Sequence, residues 1–245
     1  MENDSFLSYH EFFYSKIGED RFFEEADCKP FNMFFERPAM ISMFPDLKGK
    51  TALDAGCAAG WFSDYMFKRG ADVTAVDLSD NMLMLCRKRL GDNAKIYKCD
   101  LSDGLPFLQD ESMDFVLSSL TLDYVKDWNM IMDEFYRILK RGGALLFSAK
   151  HPYDAYSSKR IETYYQTLNM EHEYEEYGEK VSVFFYKRPL QDMIMPVINS
   201  GFKITSLSEP VPTLEFKEVR PDLYDRYAIR PEYLIVKAVK HERQK

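Results

Sequence analysis

Short apolar runs and longer helical stripes alternate between residues 51 and 149. The apolar runs predict five strands, at 51–54, 71–76, 96–99, 114–120 and 144–149. Between the strands, apolar positions recur at helical spacing, most clearly in Trp128, Ile131 and Phe135. Glycines at 70, 91 and 142–143 stand where predicted helices end. This alternation is typical of βα units and predicts an α/β fold built on a parallel sheet.

The pattern changes on either side of this core, 49–150. Residues 1–48 are rich in Phe and Tyr and predict a helical preface, which could also act as a lid. Residues 151–187 carry seven tyrosines and an acidic cluster, and they predict an ordered insertion that covers a site, because disordered segments contain few aromatics.

The C-terminal part, 188–245, returns to the sheet. It predicts a helix over 188–200 that Pro196 kinks or ends, a sixth strand at 202–208 and a last strand at 233–239. No apolar segment of helix length joins these two strands, so the last strand is expected to be antiparallel, at or near the sheet edge. We therefore expect a single domain, 1–245.

Composition narrows the class of protein. A chain of 245 residues that is 46% hydrophobic can bury one large core. Its net charge of -8 opposes binding to nucleic acid. The acidic start, Met1 to Asp4, and the lack of an apolar segment of about 18 residues predict a cytoplasmic protein without a membrane partner. The four cysteines form no CxxC pair and predict reduced thiols, with no metal site.

A turn of small residues, 53–61, follows the first predicted strand. Gly56 and Gly60 allow a sharp turn and close approach of a ligand to the backbone. Alone, such a turn is equally consistent with plain packing of a strand against a helix. Asp77 follows Asp54 by 23 positions, at the end of the second strand, and Asp100 ends the third. Since ligands bind outside the carboxyl ends of parallel strands, these acids favour a nucleotide-type site.

From about residue 32 to 149, and more loosely to 240, the chain resembles the class I S-adenosylmethionine-dependent methyltransferases. The resemblance is strongest to the small-molecule group that includes the ubiquinone and menaquinone enzymes. Asp54, Gly56, Ala58 and Gly60 match the family's acidic residue and Gly-x-Gly-x-Gly motif, with Ala58 in place of the middle glycine. The resemblance implies a Rossmann-like, seven-stranded, mostly parallel sheet with an antiparallel last strand and helices on both faces. It also implies S-adenosyl-L-methionine as cofactor and S-adenosyl-L-homocysteine as product.

The resemblance further implies which residues hold the cofactor. Asp77 would accept hydrogen bonds from both ribose hydroxyls, and Asp100 with Leu101 would meet the adenine amino group. The remaining expected contacts are Asp54, Gly56, Cys57, Ala58 and Gly60 around the methionine and ribose, Leu78 and Met82 on the adenine, and Ser118 at the aminocarboxylate.

Candidates for acceptor chemistry follow the later strands. His151 is a candidate general base, because histidine exchanges protons near neutral pH, although a structural turn histidine is the alternative. Asp123 stands where many relatives carry a histidine and could orient a cationic or hydroxylated substrate. Arg188 is either a substrate contact or an ordinary helix start. The other candidate substrate contacts are Tyr14, Ser119 and Tyr153.

The sequence thus predicts a methyltransferase that acts on an unidentified small molecule and is a monomer or homodimer. Two alternatives stay open. An NAD-dependent oxidoreductase shares the small-residue turn and the acid after the second strand, but the chain lacks a full GxGxxG motif and carries the additional Asp100. A non-catalytic protein that binds S-adenosylmethionine is favoured by the departures at Ala58 and Asp123.

Overall fold

The computed structural model describes residues 23, 27–153, 163–176 and 179–241. Its strands are β1 (Thr51–Ala55), β2 (Asp72–Asp77), β3 (Ala94–Lys98), β4 (Met113–Ser119), β5 (Leu139–Lys150), β6 (Leu168–Glu176), β7 (Glu179–Lys187), β8 (Phe202–Ser208) and β9 (Tyr233–Lys240). Seven of them form one sheet in the order β3-β2-β1-β4-β5-β9-β8, and β6 pairs with β7 in a separate hairpin.

The direction of the strands confirms the predicted sheet. β1 to β5 are parallel, whereas β9 runs antiparallel to both β5 and β8. The antiparallel last strand lies next to the edge, with β8 outside it. Because parallel strands end on the same side of a sheet, the segments that follow β1, β2, β3, β4 and β5 meet along one carboxyl edge.

The helices connect and cover these strands. They are α1 (Arg37–Ser42), α2 (Trp61–Phe67), α3 (Asp80–Leu90), α4 (Trp128–Ile138), α5 (Leu190–Asn199), α6 (Leu214–Val219) and α7 (Pro221–Tyr227). Side-chain caps fix where two of them begin: Ser79 accepts from the Met82 amide before α3, and Asp127 accepts from Asn129 and Met130 before α4. Of the two outcomes predicted for Pro196, a kink or a helix end, the structure excludes the helix end, because α5 continues through Pro196 to Asn199.

The sheet buries apolar side chains on both faces, as the predicted layers require. On one face, Ile131 and Phe135 of α4 pack with Val116 of β4 in the larger core cluster. On the other face, Met66 of α2 packs with Phe115 of β4. Neighbouring β4 residues enter opposite clusters because side chains alternate along a strand. Each such fully buried side chain contributes about 1.5–3 kcal/mol.

The segment predicted as a covering insertion contains the hairpin of β6 and β7, whose strands pair from Leu168 and Lys187 to Glu176 and Glu179. Sequence reasoning did not identify this hairpin. Most of the predicted N-terminal lid, including Tyr14, lies outside the described residues. None of the helices in the described part of the chain combines the length and apolar character needed to cross a bilayer.

Candidate cofactor and acceptor site

The turn between β1 and α2 is held in a shape that its small residues allow. Gly56, Ala58 and Gly60 have φ angles of 86°, 46° and 78°, in the left-handed region. A Cβ atom on Gly56 would lie 2.1 Å from Thr121 Oγ1, and one on Gly60 would lie 2.7 Å from Cys86 Sγ. Close packing from two sides therefore requires both glycines.

Asp77 ties this turn to the end of β2. Its Oδ2 accepts from the Ala58 amide at 2.8 Å, and its Oδ1 accepts from the Ser79 amide at 2.9 Å. Burial raises the pKa of Asp77, while the backbone amides of Ser79 and Ala58 oppose the increase. Each carboxylate oxygen can accept a second hydrogen bond. Asp77 can thus hold the loop and still bind two hydroxyl groups.

Asp54 lies beneath the turn. Its residue is only 1% exposed, and its Oδ2 accepts from the Ser63 hydroxyl of α2 at 2.6 Å. Burial raises the pKa of Asp54 to about 7, and the charge of Asp77 contributes to the increase. Asp54 therefore supports the start of α2 through its hydrogen bond with Ser63.

The predicted adenine residues follow β2 and β3, which are neighbouring strands of the sheet. Asp100 Oδ1 accepts from the Ser102 amide at 2.8 Å and so begins the short turn Leu101–Asp103. Leu78 is half-buried, whereas Met82 is fully buried and packs under Ala58 and Ala59. Cys57 is also buried, with its Sγ 3.9 Å from Cys86 Sγ. Of this group, Leu78 and Asp100 present the more accessible side chains.

The end of β4 approaches the same turn. Ser118 is fully buried and donates to the Ala55 carbonyl at 2.9 Å, which ties β4 to β1. Ser119 donates to Glu36 Oε1 at 2.9 Å. Thr121 fills the space over Gly56 and donates to the Ser119 carbonyl at 3.0 Å.

Asp123 lies in the turn Leu122–Tyr124 after β4. Its Oδ2 accepts from the Lys150 amide at 2.9 Å, which holds the end of β5 against this turn. Burial raises the pKa of Asp123 to about 6, and the backbone amide of Lys150 and the charge of Arg188 oppose that increase. The suggested role in orienting a substrate stays a prediction.

Arg188 is 4% exposed at the end of the hairpin. Its guanidinium donates to the carbonyls of Val125, Lys126 and Tyr186, and it stacks 5.1 Å from the Trp128 ring. Burial lowers the pKa of Arg188 to about 10. These contacts favour anchoring of the hairpin over the predicted contact with substrate, and the regular helix begins only at Leu190.

Both ring nitrogens of His151 make contacts. Nδ1 accepts from the Tyr153 amide at 3.1 Å, and Nε2 lies 2.8 Å from Glu209 Oε1. Burial lowers the pKa of His151, with Glu209 opposing the decrease. This geometry favours the alternative of a structural turn histidine over a general base. Tyr153, the neighbouring substrate candidate, is 43% exposed.

Sequence reasoning missed Glu36, which lies at the ends of β4 and β5. It is 1% exposed and accepts from the Ser148 hydroxyl at 2.6 Å in addition to Ser119. The available signal was an acid directly after Phe34 and Phe35 in an aromatic helical segment. Residue type alone did not show that this acid faces inward.

A nucleotide-binding oxidoreductase can share the glycine turn, but the sheet here closes with an antiparallel strand between two strands of the opposite direction. That topology, with Asp54 in β1, Asp77 at the end of β2 and Asp100 after β3, is the one expected from the resemblance to the S-adenosylmethionine-dependent methyltransferases. Comparison with known proteins agrees: residues 53–147 match the methyltransferase domain family. Residues 53–147 therefore form a methyltransferase domain of this family, and the solved structures that share the fold include S-adenosylmethionine-dependent methyltransferases.

Three relatives show the extent of the similarity. A putative S-adenosylmethionine-dependent methyltransferase of Listeria monocytogenes shares the fold with a TM-score of 0.70 and 29% identity, over 84% of this chain and 97% of its own. An uncharacterized protein of Haemophilus influenzae is 27% identical over 94% of this chain and 98% of its own length. A malonyl-[acyl-carrier protein] O-methyltransferase of Hamiltonella defensa is 33% identical over 44% of this chain, and the alignment covers 41% of that enzyme.

Proposed function

We propose that this methyltransferase holds S-adenosylmethionine along the ends of β1, β2 and β3 and methylates a small molecule over β4 and β5. The observation that carries the proposal is Asp77, a buried carboxylate that already orders the turn and keeps one acceptor position on each oxygen. Ribose hydroxyls suit those positions, because hydrogen bonds to a charged acceptor are about twice as strong as neutral ones.

The surrounding residues fit the remainder of the cofactor. The backbone of Gly56 and Ala58 is partly accessible, so the methionine can pass close to the main chain. Leu78 offers an apolar side chain for the adenine, and Asp100 can accept from its amino group. Ala58 projects a methyl group where the family has glycine, but its left-handed backbone keeps the turn in the glycine-type shape.

The bound cofactor supplies an activated methyl group, so the chain has to position an acceptor and exclude water. A small-molecule acceptor suits the net charge of -8 and the aromatic cluster of Phe31, Phe35, Phe216 and Tyr233 beside β5 and β9. A relative named as an O-methyltransferase of ubiquinone biosynthesis supports an acceptor of this kind. We also propose a cytoplasmic protein, a monomer or homodimer, in which 1–48 and 151–187 cover the core.

Calorimetric titration tests the proposal. The chain should bind S-adenosylhomocysteine with micromolar Kd and show no heat with NAD. A panel of hydroxylated, amine and carboxylate compounds with tritiated S-adenosylmethionine then tests methyl transfer. Binding of NAD without S-adenosylhomocysteine would contradict the proposal, and tight cofactor binding without transfer to any compound would favour a binding protein.

A further inference from the structure

A carboxyl group from the N-terminal segment lies over the ends of β4 and β5. Glu36 is the last residue of the π-helical turn Asn32–Glu36 that precedes α1. Its Oε1 accepts from the hydroxyls of Ser119 and Ser148, and these two serines face each other across the paired strands. Two hydroxyl groups therefore fix this carboxyl at the carboxyl edge of the sheet.

The second oxygen of Glu36 has a different environment. No described residue donates to Oε2, and the neighbouring cation Arg37 instead stacks 4.2 Å from Trp61 and donates to the Asp27 carbonyl. Because Glu36 is only 1% exposed, its Oε2 is a nearly enclosed acceptor without a donor among the described residues, and a donor group on a ligand would satisfy it.

The position of Glu36 relates it to the acceptor side of the site. Asp100 follows β3, Asp77 ends β2, Asp54 lies in β1, and Glu36 lies over β4 and β5, in the spatial order of the strands. With ribose at Asp77 and the methionine at the turn 56–60, as proposed, the cofactor would run from β2 towards β1 and β4. Glu36 would then lie on the side of the reactive methyl group that is opposite to the adenine. The methyl acceptor has to bind on that side.

Aromatic side chains stand next to this carboxyl. Phe35, the preceding residue, packs edge-on against Tyr233 at 5.0 Å and against Phe216 at 5.8 Å. Leu120, directly after Ser119, packs against the same cluster. The surroundings of Glu36 therefore combine one buried carboxyl group with an apolar wall, which suits a ligand that has an aromatic or aliphatic body and one polar group.

We propose that Glu36 binds the methyl acceptor by accepting a hydrogen bond from its hydroxyl or ammonium group. The inference rests on the proposed placement of the cofactor. It assigns the acceptor to compounds with a hydrogen-bond donor on an apolar body. It disfavours a free carboxylate, because an ionised carboxylate has no hydrogen to donate to Glu36 Oε2.

Three probes of similar shape test this specificity: phenethylamine, 2-phenylethanol and phenylacetate. Each is titrated into the full chain saturated with S-adenosylhomocysteine, and binding is followed by ligand-observed NMR. Phenethylamine and 2-phenylethanol should bind, and phenylacetate should not. Glu36→Gln should weaken phenethylamine by about tenfold or more, because it removes a hydrogen bond to a charged group.

The variant has two internal checks. Glu36→Gln should leave the Kd for S-adenosylhomocysteine within about twofold, because the residue lies beyond the methionine. Glu218→Gln, which removes an exposed carboxylate of α6, should leave every probe unchanged. Ser119→Ala removes one of the two hydroxyls that hold the carboxyl and should weaken phenethylamine to a smaller extent, so a second variant is available if Glu36→Gln folds poorly.

Several results overturn the proposal. It fails if phenylacetate binds as well as phenethylamine, if none of the probes binds the wild-type complex, or if Glu36→Gln leaves their affinities unchanged. These failures concern Glu36 alone as long as wild-type protein binds S-adenosylhomocysteine. Absence of that binding overturns the proposed function first, and the assignment of Glu36 with it.

Discussion

Asp77→Asn separates the charge of this residue from its shape. In the wild-type protein, the two carboxylate oxygens accept from the amides of Ala58 and Ser79, and both also remain available to ribose hydroxyls. Asparagine keeps one acceptor oxygen but presents an NH2 group to one of the two backbone donors. That backbone amide loses its partner, and one ribose hydroxyl loses its acceptor.

The expected loss of affinity follows from the bonds removed. Two hydrogen bonds to a charged acceptor contribute about 1.5 kcal/mol each, or about 3 kcal/mol together, and losing both weakens binding about a hundredfold. Asparagine retains one weaker acceptor, so we expect Asp77→Asn to raise the Kd for S-adenosylhomocysteine by about tenfold to a hundredfold. Asp77→Ala should weaken binding at least tenfold.

Isothermal titration calorimetry measures the Kd, and thermal unfolding of each free variant reports the cost of the unpaired amide. Asp72→Asn is the matched control, because Asp72 begins the same strand, is exposed and pairs with Lys95 at 3.0 Å. It should leave the Kd unchanged. A folded Asp77→Asn protein that binds with wild-type affinity would refute the assignment of Asp77 to the ribose.

Three further expectations follow from the packing and the pKa values. Gly56→Ala should abolish cofactor binding in calorimetry, since its Cβ would lie 2.1 Å from Thr121 Oγ1, whereas Gly142→Ala, with nothing within 4 Å, should bind normally. The folded-state pKa of Asp54, about 7, exceeds the unfolded value of about 3.9, so its contribution to stability is fully present below pH 4 and is lost as pH rises through 7. The unfolding free energy of Asp54→Asn, measured in urea, should not fall with pH in this way. A pH profile identical to that of the wild-type protein would disprove the role of Asp54. Arg188→Lys should cost about 2 kcal/mol of unfolding free energy in urea, because lysine cannot replace the carbonyl contacts and the ring stacking; lost acceptor binding with unchanged stability would instead support the substrate role.

The sheet was predictable because its signals are local. An apolar run, a small-residue turn and an amphipathic stripe each specify one βα unit, and they predicted β1, β2 and β4 to within one or two residues. The start of β5 was missed, since Gly142 and Gly143 signal the end of a helix. In the structure, α4 ends at Ile138 and the strand runs on from Leu139 through both glycines, with Gly142 at a φ of 75°.

The acceptor side was less predictable because it depends on contacts between distant segments. Glu36 contacts Ser148 across 112 positions of the chain, and nothing local to either residue indicates that pairing. The hairpin of β6 and β7 shows a related limit: Leu168, Met170 and Tyr174 alternate with polar residues, but His172 interrupts the alternation, and the tyrosines and acids are equally typical of a covering segment. Which predicted residues contact ligands is likewise set by tertiary packing, as His151 and Arg188 show.

Arg188 attaches the hairpin of β6 and β7 to the ends of the central strands. The Arg188 guanidinium donates hydrogen bonds to the carbonyls of Val125 and Lys126, which follow β4, and to the carbonyl of Tyr186 in β7. The turn that precedes Val125 contains Asp123, which in turn holds the backbone of Lys150. Movement of the hairpin away from the sheet edge therefore requires these hydrogen bonds to break, so the hairpin is tied to the ends of β4 and β5.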